Sequence, residues 1–288
     1  MSLPPSVTLG RTPSDLAYLD IDSALCQARV FLQGAQLVHF QPKGLKPLLW
    51  LSPLEDFARG RAIRGGVPVC WPWFGNNKPA AEAPAHGYAR TSEWQLVDVE
   101  DQDGEIVIEL ALPAGAVPEA YWPHASELTM VMVLGKRARL VLSTDNTGTA
   151  PFTFTQALHS YFAVPDINQV SVRGLAGSHY LEFDEGPFEQ QGPAVVRQEV
   201  DRMYSVEKPL QHIDTGEGLI AVAREGSHSL VLWNPWVEKA KALGQFPDDG
   251  FKTMVCLEAA NIQADAVTLA PGERHSLVTE FYWASSQD

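Results

Sequence analysis

Glu258 stands inside an otherwise apolar run, Thr253-Met254-Val255-Cys256-Leu257-Glu258-Ala259-Ala260-Asn261. In an extended strand its same-face neighbours are Met254, Cys256 and Ala260. Burying an unpaired carboxylate costs on the order of a few kcal/mol even after relaxation. This glutamate is therefore paired with an arginine, held protonated, or used as a general base whose pKa is raised by partial burial. His159 lies in Phe152-Thr153-Phe154-Thr155-Gln156-Ala157-Leu158-His159-Ser160-Tyr161-Phe162. Along a strand it shares a face with Thr153, Thr155 and Ala157, while Phe152, Phe154, Gln156 and Leu158 point the other way. The small residues before His159 leave open space beside the imidazole, as the floor of a cleft would. An imidazole and a carboxylate are the two groups that proton transfer near neutral pH calls for.

Two further stretches carry cations in rigid surroundings. Ile63-Arg64-Gly65-Gly66-Val67-Pro68-Val69-Cys70-Trp71-Pro72-Trp73-Phe74-Gly75 combines prolines, glycines and large aromatics around one arginine. Paired glycines permit close backbone approach and proline forbids a central strand, so the stretch reads as a rigid loop. Trp71 and Trp73 either plug one end of the fold or stack on a sugar face, and the same question applies to Trp236. In Ala85-His86-Gly87-Tyr88-Ala89-Arg90-Thr91-Ser92-Glu93-Trp94, His86 and Arg90 flank a glycine-bearing turn. They are either a buried histidine beside a surface arginine or part of a site. If Arg64 and Arg90 converge, their guanidinium forks suit an anion such as a phosphate.

Familiar cofactor signatures are missing from the sequence. There is no GxxxxGK[ST], no strand-linked GxGxxG, no GxSxG, no HExxH and no HxH pair. No metal or cofactor is expected, and side chains alone must carry the chemistry. The chain has 288 residues, with 21 Lys and Arg against 35 Asp and Glu, a net charge of −14. That balance argues against nucleic acid or an anionic membrane as partner, although a small anion needs only a few local cations. Cys26, Cys70 and Cys256 are widely spaced and odd in number, neither a disulfide framework nor a zinc motif. The N-terminal residues lack the basic start and apolar core of a signal peptide. A cytoplasmic location, with buried free thiols, is the expectation.

The elements that must position these residues read as β-structure. Ile106, Ile108, Leu110 and Leu112 share one face while Glu105, Val107 and Glu109 share the other; Leu128, Met130, Met132 and Leu134 alternate with Thr129, Val131 and Val133, and Ala138, Leu140 and Leu142 with Arg137, Arg139, Val141 and Ser143. Gly135-Lys136 between the last two runs reads as a tight hairpin, with glycine supplying positive φ. Other strands are expected near 28–32, 35–41, 47–51, 93–99, 152–159, 169–173, 219–224, 229–234, 253–260 and 276–284. Short helices are expected at Leu54–Arg59 and Val237–Leu243. Many short strands with few helices predict an all-β protein, a large antiparallel sandwich or barrel. No composition shift marks a boundary, so residues 1–288 are expected to form a single domain, its first twenty or so residues partly peripheral.

Taken with Asp201-Arg202-Met203-Tyr204 and Trp233-Asn234-Pro235-Trp236, these stretches resemble the glucose-6-phosphate 1-epimerase (hexose-6-phosphate mutarotase) branch of the aldose 1-epimerase family. The resemblance runs from about Arg29 to Trp283. It implies a galactose-mutarotase-like β-supersandwich with a cleft on its concave face. The implied activity is cofactor-free interconversion of the α and β anomers of a hexose 6-phosphate, glucose 6-phosphate favoured. On the same basis His159 is the general acid, Glu258 the general base, Asp201 a contact to sugar hydroxyls, and Arg64 and Arg90 phosphate-site residues. His86 is implied as a ring-contact or acid-assisting residue. In these roles His159 can donate to the ring oxygen if a nearby negative charge keeps it protonated near neutrality, and Glu258 can accept the O1 proton if its pKa lies below the working pH. The implied partner is a phosphorylated hexose, and a monomer is expected. The alternatives are a mutarotase for unphosphorylated aldoses and a non-catalytic sugar or sugar-phosphate binding module. A glycoside-processing enzyme would need two carboxylates at the scissile bond, where only Glu258 stands out.

Overall fold

The computed structural model describes residues 2–285. Residue 1 and residues 286–288, at the ends of the expected domain, lie outside them. The described chain is an antiparallel β-sandwich. One large sheet has nine strands, including Gln95–Gln102, Glu105–Ala111, Ser126–Leu134, Ala138–Asn146, Arg274–Trp283 and Leu219–Glu225 in adjacent succession. The other has eight, with Val200–Ser205, Ser229–Asn234, Met254–Asn261 and Gln156–Leu158 side by side at its centre. A four-stranded sheet from Val7–Arg11, Ala17–Asp22, Cys26–Phe31 and Gln36–Pro42 joins them. Its strand Ala17–Asp22 buries Ala17, Leu19 and Ile21, whereas most of Val7–Arg11 is exposed.

Alternation in the sequence becomes layering in space. Ile106, Ile108, Leu110, Met130, Met132, Leu140 and Leu142 are fully buried and face the other sheet's Leu158, Leu230, Leu232, Val255 and Leu257. Phe281 ties three sheets together, meeting Phe162 edge-on at 5.3 Å and Phe40 at 5.9 Å. The opposite face of the eight-stranded sheet carries Ala157, Val231, Trp233, Cys256 and Ala260, packed with Tyr161 and Cys70 into a separate cluster. The helix Trp236–Ala242 buries Ala240 at that cluster. This second face is where the sheet opens.

Three local expectations are corrected. Residues 54–59 are not helical: Phe57 adopts φ 54° and stacks on Phe31 at 4.8 Å. Glu55 spends its carboxylate on the backbone N–H groups of Phe57 and Arg64 instead of supporting a helix. Residues 47–51 make only isolated bridges, from Leu49 to Phe162 and from Leu51 to Gly65. The hairpin after Leu134 has a three-residue connection, since Leu134 pairs with Ala138, and Gly135 is absent from the positive-φ residues. An added Cβ there would lie 2.8 Å from the side chain of Glu105, which is exposed and would have to shift.

The strand expected at 152–159 is also interrupted. Phe152–Phe154 pairs with Val267–Leu269, and Gln156–Leu158 joins the eight-stranded sheet. Between them the Thr155 hydroxyl accepts a hydrogen bond from the Phe74 N–H. His159 therefore sits one residue past a strand end, where backbone geometry is freer. The helix expected at 237–243 forms over Trp236–Ala242.

Candidate active site

Glu258 reaches the open face because strand alternation sends Leu257 and Ala259 into the sandwich and Glu258 out of it. Register then fixes its company: Val231 lies opposite Glu258, Trp233 opposite Cys256, and Asp201 opposite Trp233. His159 is delivered from the neighbouring strand end, held by its N–H donating to the Pro68 carbonyl. The result is His159 Nδ1 at 3.4 Å from Glu258 Oε1, with side chains 10% and 1% exposed. The arginine pair that the sequence allowed for Glu258 is replaced by this imidazole. His159 stacks on Tyr161 at 4.8 Å with the rings nearly parallel, and meets the edge of Trp233 at 5.9 Å.

The cation-bearing loops are clamped from several sides. The Arg64 N–H donates to Glu55 Oε2, and its carbonyl accepts from the Ser52 N–H. Gln36 donates to the carbonyls of Ile63 and Gly65. Gly66, at φ 64°, donates to the Trp50 carbonyl and accepts from the Tyr161 N–H. Arg64 is thus indexed to the residues beside His159. Arg90 lies in the short turn Ala89–Thr91 and gives one nitrogen to the Ala85 carbonyl. The Nε atoms of both arginines are buried without a hydrogen-bond partner.

One cleft of about 890 Å³ is lined by Arg64, His86, Arg90, His159, Asp201 and Glu258 together. All six residues singled out from the sequence converge there. Trp71 and Trp73 do not line it: they are buried, Trp71 against Trp122 and Trp73 donating to the Pro84 carbonyl. Trp236 packs on Phe251. The tryptophan lining the cleft is Trp233, and Tyr161, Thr155, Asp184 and Lys239 line it as well. Tyr161 was legible as the residue two past His159 on the same face. Asp184 carried no sequence signal, since its position depends on a hairpin folding over the cleft.

Burial raises the Glu258 pKa as its apolar strand suggested, while the negative charge that would keep His159 protonated is outweighed. Burial first, and then the positive charges of Arg90 and Arg64, push the His159 pKa down to about 3. Burial, with Asp201 adding to it against Arg90, pushes Glu258 well above the usual carboxylate range. Desolvation disfavours whichever form is charged. Both shifts favour a neutral imidazole beside a protonated carboxyl over an imidazolium beside a carboxylate. His159 Nδ1 and Glu258 Oε2 are both buried without a hydrogen-bond partner, and such groups are costly unless a ligand satisfies them. His86 is also held neutral, by burial and then by Arg90. The Gly75 N–H donates to its Nδ1 at 3.2 Å, which leaves the ring proton on Nε2 and makes that atom a donor. Asp201 is raised by burial and by neighbouring carboxylates, with Lys239 opposing.

The arrangement offers one movable proton on a carboxyl–imidazole pair, two guanidiniums with spare hydrogen-bonding capacity, and acceptors at Asp201 and Asp184. It suits a polyhydroxylated anion. The sequence profile of the aldose 1-epimerase family matches residues 18–282. A protein of Escherichia coli K12, provisionally named glucose-6-phosphate 1-epimerase, is 36% identical over 258 residues, covering 87% of this chain and 85% of that protein. The crystal structure of a provisionally named mutarotase from Salmonella typhimurium superimposes with a TM-score of 0.90 at 30% identity, covering 99% of this chain and 95% of that one. A galactose mutarotase-like protein from Clostridium acetobutylicum, 16% identical, shares the fold with a TM-score of 0.73 over 97% of this chain and 98% of that one.

Proposed function

The chain belongs to the aldose 1-epimerase family and interconverts sugar anomers; from that premise we propose that its substrate is a hexose 6-phosphate, glucose 6-phosphate first, and that His159 and Glu258 move the protons. The observation carrying this reading is the convergence of the imidazole–carboxyl pair and two arginines with spare nitrogens on one cleft.

Mutarotation removes a proton from the anomeric hydroxyl and delivers one to the ring oxygen. The ring opens to an aldehyde, the C1–C2 bond turns, and the ring closes on the other face. Passing the Glu258 proton to His159 across the 3.4 Å gap yields the carboxylate and imidazolium that this step uses. Glu258 then accepts from O1 while His159 donates to O5, and the roles reverse on closure. A phosphate dianion against Arg64 and Arg90 offsets the two charges that depress His159, so substrate binding itself favours the reactive state. Each positioned acid or base contributes about 10²–10⁴-fold. His86 supplies a fixed donor, and Asp201 accepts from ring hydroxyls. The phosphate acts as a remote handle that orients the anomeric carbon.

Anomer-exchange NMR on glucose 6-phosphate and on glucose tests the assignment. Exchange should fall by about 10²–10⁴-fold in His159→Ala and in Glu258→Gln. In Arg64→Ala or Arg90→Ala, KM should rise far more for the phosphorylated sugar than for glucose. Undiminished exchange in both acid–base variants removes the proton-transfer assignment, and equal KM effects on both sugars remove the phosphate role.

A further inference from the structure

The mechanism above leaves the buried thiol nearest the proton-transfer pair, Cys256, unused. Cys256 is fully buried, unoxidised, and on the same strand face as Glu258. His159, Cys256 and Glu258 each offer one ligand atom, and those three atoms all lie within 4.8 Å of one another. The same pocket contains the two orphaned atoms, His159 Nδ1 and Glu258 Oε2, each on a side chain at least nine-tenths buried. A thiol, an imidazole and a carboxyl form a donor set that prefers zinc and its relatives to magnesium or calcium, which bind all-oxygen sites.

We propose that the catalytic centre is also a binding site for a thiolate-preferring divalent cation such as zinc, held by His159, Cys256 and Glu258, and that the bound ion inhibits the epimerase. Zinc bonds of about 2.0–2.3 Å in tetrahedral geometry place neighbouring donors about 3.4–3.8 Å apart. The three side chains therefore close on the ion by about 1 Å, which small χ adjustments of Cys256 and Glu258 supply. Three protein ligands leave a fourth position for water.

Charge balance makes the exchange feasible beside two arginines. Burial favours the protonated carboxyl, the protonated thiol and the neutral imidazole in the absence of an ion. Zinc binding forms one bond to each ligand, and the thiol and carboxyl protons leave to solvent. Two positive charges enter and two leave, so Arg64 and Arg90 face the same net charge before and after. The ion also satisfies the buried atoms that no protein group reaches. Inhibition follows because the ion takes the lone pairs that must accept and return the substrate's protons, and this part rests on the proton-transfer reading above. None of the short-spacing metal motifs marks this site, because its ligands come from a strand end and a separate strand brought together by sheet pairing.

Equilibrium dialysis with zinc, and cobalt titration of the full chain without sugar, test the site independently of catalysis. The expected result is one ion per chain and a thiolate-to-cobalt charge-transfer band in the near ultraviolet. Zinc should suppress anomer exchange competitively with the sugar phosphate, a chelator should restore it, and magnesium should have no effect. Cys256→Ser should retain basal exchange, lose the band, and bind zinc about 100-fold more weakly or worse, since even supporting residues of metal sites are worth about 10–100-fold. Glu258→Gln, read by dialysis alone, provides a second ligand deletion should the serine variant not fold. A wild-type cobalt complex without the band, or unchanged zinc affinity in the ligand variants, overturns the proposal. A thiolate band in a protein that exchanges no anomers would instead overturn the functional reading and leave the metal site standing.

Discussion

At the scale of single residues, the decisive feature is a buried pair whose members are both neutral. Its two shifts have opposite consequences for stability. Glu258 is raised from an ordinary 4.5, so its contribution is complete below that pH and is lost as pH rises toward the folded-state value. His159 is lowered from 6.5 to about 3, so its contribution is complete above pH 6.5 and is lost as pH falls toward 3. Above pH 4.5, and below both 6.5 and the folded-state pKa of Glu258, the unfolded chain holds the histidine proton and the folded protein holds the carboxyl proton. The two slopes cancel there. Glu258→Gln removes one of them, so from pH 6.5 to 5 this variant should lose stability more steeply than wild type by up to about 1.4 kcal/mol per pH unit. Urea melts at three or four pH values measure this. Parallel pH dependence in the two proteins would mean that Glu258 is already ionised in the folded state across this range.

At the scale of elements, the loops matter as much as the strands. The segment 63–75 carries Arg64 and also approaches neighbouring backbone closely at its glycines. A Cβ on Gly66, at φ +64°, would meet the Leu37 carbonyl oxygen at 2.3 Å, whereas Gly44, at φ +76°, has nothing within 4 Å. Gly44→Ala should cost only the left-handed backbone penalty, about 1–2 kcal/mol. Gly66→Ala adds an overpacking cost of about 1–3 kcal/mol, and it should raise KM for the phosphorylated sugar by displacing Arg64. Denaturation midpoints and steady-state kinetics on the two variants check this. Equal stabilities would show that the loop relaxes freely. The glycines of this loop were readable as permitting close approach, yet which backbone they approach was not, because Leu37 and Trp50 belong to distant parts of the chain.

At the scale of the whole molecule, one sheet serves two purposes on two faces. Leu257 points into the sandwich with no exposed surface, and its neighbour Glu258 points into the cleft. Leu257→Ala should cost about 2–5 kcal/mol with little change in KM, whereas Glu258→Gln should lower exchange by about 10²–10⁴-fold without that loss. Calorimetry and exchange kinetics on the two variants separate these effects, and a large KM change in Leu257→Ala would show that the faces are coupled. By itself the sequence determined what repeats locally: the period-two strands, a short helix expected at 237–243 and found one residue earlier, the rigid aromatic loop and the isolated carboxylate at Glu258. Those are consequences of residue type and spacing, which act over a few neighbours. Protonation was beyond it, because the expected imidazolium depended on which charges surround His159. The tertiary structure set two arginines against it and buried most of its side chain in the cleft wall. Which tryptophan lines the cleft, which thiol sits beside the carboxyl, and the meeting of six distant residues in one hollow were likewise decided by sheet pairing. Register and burial are properties of contacts between segments far apart in the chain, and no single segment encodes them.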